Sequence, residues 1–210
     1  PRRRAGPGAR ALCRPALRIG IGGFHDGDIR EPSFQELLVR WFQYGAFCPV
    51  FRLHGFRQPI DADLAGLFSG AATNFGTGAA NEVWSYGEDN YRIFKKYLLL
   101  RERLRPYVAR QMAAAHEKGT PVMRPLFYDF PRDAASWEVD DAYMFGPDIL
   151  VAPILYEKQT SRSVYLPAGA LWVDAWTGVS QRGGQRLEVE APLDRIPIFL
   201  KDGARLPIAE

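Results

Sequence analysis

The stretch from Ile21 to His54 constrains the fold more than any other part of the chain. It reads as an apolar strand that ends in a Gly-rich turn, a helix predicted over 33–47, and a short buried strand predicted over 48–53. Two strands that are joined through a helix run parallel, so their carboxyl ends lie at the same edge of a sheet. In a (β/α) barrel that edge carries the ligand-binding residues.

Capping signals predict where the helices begin. Ser33 with Glu36, and Ser85 with Glu88, have the spacing of capping boxes and predict two helix starts. The second helix contains Pro106, which predicts a kink or the start of a new helix.

The sequence pattern changes after Pro121. Segments become short, rich in β-branched and aromatic residues, and separated by turn residues. This pattern predicts an antiparallel sandwich. The predicted strands are 122–128, 149–155, 163–166, 171–176, 186–190 and 196–200.

The basic character of the chain is confined to its first residues. Without six early arginines the formal net charge changes from +3 to −3; they are Arg2, Arg3, Arg4, Arg10, Arg14 and Arg18. Residues 1–18 are interpreted as a disordered, Arg-rich leader, with a nucleic-acid-binding tail as the less favoured alternative. No apolar run is long enough to span a membrane, and Cys13 and Cys48 have no metal-type spacing.

Three residues near the predicted strand ends are candidates for ligand binding. His54 ends the second strand and can donate to a hydroxyl group, and Arg52 can orient a carboxylate through a bidentate pair. Phe24 follows the Gly-rich turn and can stack on the apolar face of a sugar ring. The alternative is that the histidine and arginine only satisfy the rim of the sheet and that the phenylalanine belongs to the core.

Other polar residues give weaker signals. His25, Asp26 and Asp28 match no metal motif and are interpreted as a solvated turn. Glycoside hydrolysis needs two positioned carboxylates, and no acidic pair stands out at strand ends. The sequence therefore predicts no catalytic residue and no metal ligand. The remaining candidates are a cleft wall formed by Asn81, Glu82 and Trp84, and His116 as a partner of a helix end.

The motifs resemble those of glycoside hydrolase family 31, which contains α-glucosidases, α-xylosidases and related retaining enzymes. The resemblance begins with IGGF and RWFQYGAFCPVFRLHG. It continues through NEVWSYGEDNYRIFKKYLLLRERLRPYV, TPVMRPLFYDFP, YMFGPDILVAP, VYLPAGALWVDAWTG and APLDRIPIFLKDGA. It covers nearly everything from Ile21 onward, so the match is specific.

The resemblance implies an α/β part followed by an all-β part. Residues 19–119 are expected to form the last portion of a (β/α)8 barrel, and residues 120–210 the proximal C-terminal antiparallel β-sandwich. It also implies that Phe24 lines the sugar subsite, that His54 hydrogen-bonds sugar hydroxyls, and that Arg52 supports the ion network of the site.

The chain departs from the family pattern in two ways. Gly20 stands where the family has an aspartate of the sugar subsite. The resemblance also places the catalytic nucleophile and the acid/base, both aspartates, on earlier barrel strands that this sequence does not contain. With the Arg-rich leader and the lack of an initiating methionine, these departures lead us to expect a C-terminal gene fragment with a frameshift upstream of Ile21.

The expected function is hydrolysis of terminal α-linked glucosyl or xylosyl residues by the complete enzyme, with this chain inactive alone. The partners implied are a carbohydrate substrate and either an upstream barrel segment or a second copy of the chain, with no nucleic acid and no membrane. No metal or organic cofactor is implied, and no compartment is predicted. The alternative is a non-catalytic sandwich that binds carbohydrate or buttresses a neighbouring domain, with Trp137, Trp172 and Trp176 as a sugar platform.

Overall fold

The computed structural model describes residues 21–22, 28–54 and 80–204, and every structural statement below concerns these residues. The predicted leader, 1–18, lies outside them. So does most of the long loop that follows His54.

The first unit has the predicted β-α-β order. Strand β1 (Ile21–Gly22) precedes helix α1 (Pro32–Ala46), and strand β2 (Leu53–His54) follows. The strands pair in parallel, with Ile21 opposite Leu53 and Gly22 opposite His54. The prediction of a strand over 48–53 is wrong for most of its length, because residues 47–50 form a turn and bends and pairing begins only at Leu53.

Helix α1 begins without the predicted capping box. Pro32 is its first residue, as the fixed φ of proline favours, and Glu31 is the N-cap residue without a side-chain cap. Ser33 therefore lies inside the first turn and cannot cap it. Glu36 instead accepts a hydrogen bond at Oε1 from the backbone N–H of Lys158, at 2.9 Å.

The long helical segment is two helices. Helix α2 (Glu88–Arg103) follows a short 3-10 turn, Val83–Tyr86, and helix α3 (Arg105–Lys118) comes directly after it. Pro106 lies in the first turn of α3, where no intrahelical partner for its missing N–H is needed. The prediction of a new helix at this proline is confirmed.

The second predicted capping box is also wrong. Gly87 is the N-cap residue of α2, with a φ of 86° and no side-chain cap. Ser85 lies in the 3-10 turn, and its hydroxyl donates to Glu82 Oε2 at 3.1 Å. Ser85 therefore lies two residues before the N-cap position and does not cap the helix.

The rest of the chain is built from short antiparallel strands, as predicted. Two kinds of detail differ: the predicted strand 122–128 is shortened because helix α4 (Leu126–Asp129) follows it, and the strands at 143–145 and 180–182 were not predicted. The strands are β3 (Met123–Pro125), β4 (Tyr143–Phe145), β5 (Ile149–Val151), β6 (Ser161–Leu166), β7 (Leu171–Asp174), β8 (Ser180–Arg182), β9 (Gln185–Glu190) and β10 (Ile198–Lys201).

The strands form a central sheet and a smaller one. The central sheet has the order β3-β4-β5-β10-β7-β8, and β6 pairs with β9 in the second sheet. One face of the central sheet packs against the helices through Phe145, Ile149 and Ile198. The other face packs against the β6–β9 pair through residues that include Leu150 and Phe199. Strands covered on both faces read as continuous apolar runs, which explains Ile149–Val151.

Candidate functional site

The candidate site lies at the edge where β1 and β2 end. Because the two strands are parallel with Gly22 opposite His54, the chain leaves both strands at the same edge. The backbone of His54 therefore lies beside Gly22, which is two residues before Phe24 in the sequence. Phe24 itself lies outside the described residues, so its predicted place in the sugar subsite stays a prediction.

Of the three candidate binding residues, Arg52 is the one whose side chain the structure describes. Arg52 precedes β2 and its side chain is exposed, and its predicted role in an ion network stays a prediction. Of the polar loop after Phe24, Asp28 is described. It forms an ion pair with Arg30 at 2.6 Å and accepts the Arg30 backbone N–H at 2.8 Å. This geometry is that of a solvated turn, as expected; His25 and Asp26 lie outside the described residues.

The residues predicted as a cleft wall form the entry to α2. Asn81 Oδ1 accepts from the hydroxyl of Tyr86, and Glu82 accepts from Asn81 N–H at 3.1 Å and from a serine hydroxyl. The pKa of the Glu82 carboxyl is lowered, first by its own backbone N–H and then by the serine hydroxyl and the N–H of Asn81. Trp84 is 66% exposed, so its ring is available on the surface. His116 lies exposed in the last turn of α3, where it can interact with the helix end.

Neither a metal cluster nor a membrane segment is found within residues 21–22, 28–54 and 80–204. No three histidine, cysteine or acidic side chains converge there, and no helix in those ranges is both long and apolar enough to cross a bilayer. Burial raises the pKa of the Cys48 thiol to about 12, so this cysteine is a poor nucleophile near neutral pH.

The connection between α1 and β2 is held through its backbone. Arg101 on α2 donates from Nη1 to the carbonyl oxygens of Ala46 (2.9 Å) and Cys48 (2.7 Å), and from Nη2 to that of Pro49 (2.8 Å). The Tyr143 hydroxyl donates to the carbonyl oxygen of the intervening residue, Phe47, at 3.0 Å. Four consecutive carbonyls thus have side-chain donors, and we call this arrangement the carbonyl clamp.

A second arginine joins α1 to the sandwich. Arg40 is 6% exposed, and its guanidinium donates to four backbone carbonyl oxygens of loops that flank β6 and β9. These acceptors replace the hydration that the N–H groups of Nη1 and Nη2 lose on burial. The acceptors are Gln159 (3.2 Å), Ala191 (3.0 Å), Pro192 (3.1 Å) and Arg195 (2.9 Å).

The three sandwich tryptophans do not form one sugar platform. Trp172 is fully buried between the sheets, and Trp176 is half-buried, with its ring N–H donating to Ile196 O at 2.7 Å. Trp137 alone of the three is exposed, at 56%, and stacks on Phe127 with ring centroids 4.5 Å apart. The structure therefore assigns two of the three rings to the interior.

Sequence reasoning missed Arg40, Arg101 and Tyr143, whose side chains hydrogen-bond to distant backbone carbonyl oxygens. Arg40 had one usable signal, since it stands between Val39 and Trp41 on a helix whose neighbouring residues are apolar. Arg101 and Tyr143 had none, because their acceptors are backbone atoms between 52 and 96 positions away. Every residue has a backbone carbonyl, so the residue type does not show which carbonyls accept these hydrogen bonds.

Comparison with known families accounts for most of the chain. Residues 15–111 match the model described as the glycosyl hydrolases family 31 TIM-barrel domain. Residues 119–206 match that of the glycosyl hydrolase family 31 C-terminal domain.

Curated relatives come from the same group of enzymes. The chain is 34% identical over 194 residues to an α-xylosidase of Saccharolobus solfataricus, which covers 92% of this chain and 24% of the relative. It is 39% identical over 203 residues to α-glucosidase 2 of Bacillus thermoamyloliquefaciens, covering 95% and 22%. The chain therefore spans about a quarter of the length of these relatives.

Solved structures share the fold. The crystal structure of a family 31 α-xylosidase from a soil metagenome, complexed with xylose, is 57% identical with a TM-score of 0.79, over 88% of this chain and 27% of that one. The family 31 α-xylosidase of Xanthomonas citri is 34% identical with a TM-score of 0.73, over 89% and 19%.

Proposed function

Because the chain belongs to glycoside hydrolase family 31, we propose that it forms the sugar-holding edge of a retaining α-glycosidase that removes terminal α-linked xylosyl residues. The observation that carries the proposal is the 57% identity to an α-xylosidase whose structure holds xylose. Terminal glucosyl residues are the second substrate class, supported by the relative described as an α-glucosidase.

The described geometry supports a binding role for this edge. The parallel pairing of β1 and β2 brings His54 beside the Gly-rich turn, so His54 and Phe24 follow two adjacent strand ends. In this role the histidine hydrogen-bonds sugar hydroxyls, the phenylalanine stacks on the ring, and Arg52 orients a carboxylate of the site.

The bond-breaking groups lie elsewhere in this scheme. One aspartate of the complete enzyme attacks the anomeric carbon, and a second protonates the leaving oxygen and then activates water. The barrel portion, 19–119, and the sandwich portion, 120–210, contribute neither group. We therefore expect no hydrolysis by the isolated 210 residues, and turnover of an aryl α-xyloside by the purified chain would contradict this.

The test places the chain in a whole enzyme. In a chimera, residues 21–210 replace the matching segment of the soil-metagenome α-xylosidase, and hydrolysis of aryl α-xyloside and aryl α-glucoside is measured. We expect retention of anomeric configuration and faster turnover of the xyloside. His54→Ala should lower kcat/KM roughly 100-fold, because hydrogen bonds to the sugar strengthen in the transition state.

His116→Ala is the matched control, since it removes an exposed histidine far along α3 and should leave kcat/KM within about twofold. A folded chimera without activity on either substrate would overturn the proposed function. A preference for the glucoside would overturn only the choice of xylosyl over glucosyl residues as the substrate.

A further inference from the structure

We propose that Arg101 and Tyr143 are positioning residues for the sugar-holding edge, which they control through the carbonyl clamp on the connection from α1 to β2. The role in sugar binding rests on the proposed function, whereas the clamp itself is a feature of the described residues.

The clamp engages every carbonyl from Ala46 to Pro49, the first half of the connection. Arg101 donates hydrogen bonds to three carbonyl oxygens at 2.7 to 2.9 Å, and the Tyr143 hydroxyl donates to the fourth at 3.0 Å. The guanidinium carbon of Arg101 also lies 5.9 Å from the ring centroid of Phe145. Both donors are fixed in turn, Arg101 within the long helix α2 and Tyr143 in strand β4, paired with Pro125 and Val151.

Strand β2 depends on this anchor because its own pairing is short. The described ladder joins β1 and β2 over two residues each. Pro49 and His54 are five residues apart, so even a fully extended segment between them spans only about 17 Å. The clamp therefore fixes the start of a short segment whose far end carries Arg52 and His54.

Release of the clamp should loosen the far end more than it destabilises the fold. A buried carbonyl that loses its donor is unfavourable, because it has neither a protein partner nor water. The backbone of the connection can therefore shift until the carbonyl reaches another donor or water. A shift of about 1 Å at a binding group is enough to weaken substrate positioning.

Matched variants separate positioning from plain destabilisation. Tyr143→Phe removes the hydroxyl that donates to Phe47 O, and Tyr107→Phe removes a buried hydroxyl that donates to Phe145 O at 2.9 Å, outside the connection. The Tyr107 hydroxyl also accepts from the N–H of Asp148 at 3.3 Å, so Tyr107→Phe should lower Tm at least as much as Tyr143→Phe does. In the chimera, only Tyr143→Phe should raise KM for aryl α-xyloside, roughly 3- to 10-fold, with a smaller change in kcat.

Hydrogen exchange in the 210-residue chain, outside the chimera, gives a second readout that needs no activity. Arg101→Lys keeps the charge but loses the planar guanidinium. Arg101→Lys and Tyr143→Phe, each as a single variant, should speed amide exchange over residues 50–54 roughly 10-fold. Tyr107→Phe should not.

The outcomes distinguish the two proposals. Equal KM values for the two tyrosine variants overturn the positioning role, and unchanged exchange over 50–54 overturns the clamp. An inactive parent chimera with exchange that responds as expected overturns the proposed function and supports the clamp as the anchor of β2.

Discussion

Asp133 illustrates how one carboxylate joins two loops of the sandwich. It accepts hydrogen bonds from the N–H of Ala135 (3.2 Å), the hydroxyls of Ser136 (3.1 Å) and Tyr165 (2.7 Å), and the N–H of Ala168 (2.8 Å). Burial alone would raise the pKa of Asp133, but these hydrogen bonds outweigh it and lower the pKa below its ordinary value.

Asp133→Asn should therefore lower the free energy of unfolding near neutral pH by about 2 kcal/mol. Because the folded-state pKa lies below the ordinary value of 3.8, the stabilisation is complete above that pH and disappears as the pH falls through the folded-state pKa. Urea unfolding at a series of pH values measures this, with the exposed Asp140→Asn as control. A difference between wild type and variant that stays constant into strong acid would contradict the prediction.

At the residue scale, the sequence predicted the edge of the site better than its supports. The position of His54 followed from strand order, which the parallel pairing with Gly22 confirms for the backbone. The contacts of Arg101 and Tyr143 depend on long-range packing and on backbone oxygens, which residue identity does not encode. The roles of Phe24 and Arg52 stay predictions.

At the scale of secondary-structure elements, apolar periodicity predicted where helix α1 lies, whereas the capping signals predicted the wrong helix starts. Helix α1 was predicted within one residue at each end, because its apolar spacing is strong. Both capping boxes were wrong, since Pro32 and the φ of Gly87 set the helix starts instead. Strands β4 (Tyr143–Phe145) and β8 (Ser180–Arg182) were missed because three residues are too few for a periodic signal.

Two glycines in the left-handed region offer a matched test of element ends. Gly119 ends α3 with a φ of 69° and has open space where a Cβ would lie, whereas at Gly146 (φ 62°) a Cβ would lie 2.2 Å from the Tyr107 hydroxyl oxygen. That hydroxyl is held by Phe145 O and by the N–H of Asp148, so it cannot easily move.

Gly119→Ala should lower the free energy of unfolding by about 1 kcal/mol, from backbone strain alone. Gly146→Ala should lower it by about 3 kcal/mol, because the steric overlap adds to the same strain. Thermal and urea unfolding of both variants measure the difference. Equal losses would show that the turn between β4 and β5 yields to a methyl group.

At the scale of the whole molecule, the central sheet is the middle of three layers. Its residues Phe145, Ile149 and Val151 share one hydrophobic cluster with Phe42 of α1 and with the helices that follow. The sandwich and the barrel portion are therefore packed through a common core, and the Arg40 contacts add polar links across the same boundary.

The isolated chain should associate with itself. Leu98 (41% exposed), Leu99 (51%) and Met112 (44%) expose apolar side chains on α2 and α3, and within the described ranges β1 and β2 pair with each other alone. Sedimentation velocity should show a mean mass that rises with concentration. Combined Leu98→Glu and Leu99→Glu should weaken association roughly tenfold, because they place charge on the apolar surface.

Val179→Glu is the control for charge, since Val179 is 52% exposed but lies in the turn between β7 and β8. It should leave the association unchanged. A monomer at every concentration would contradict the prediction for the whole molecule.

The carbonyl clamp has a consequence for evolutionary divergence. Every amino acid presents the same carbonyl oxygen, so the connection can change its side chains at Cys48 and Pro49, both only half-buried, without losing an acceptor. Selection then acts on the donors instead, because no other side chain repeats the three contacts of Arg101. Among descendants of this chain we expect the anchored segment to drift in sequence while the distant arginine that holds it does not.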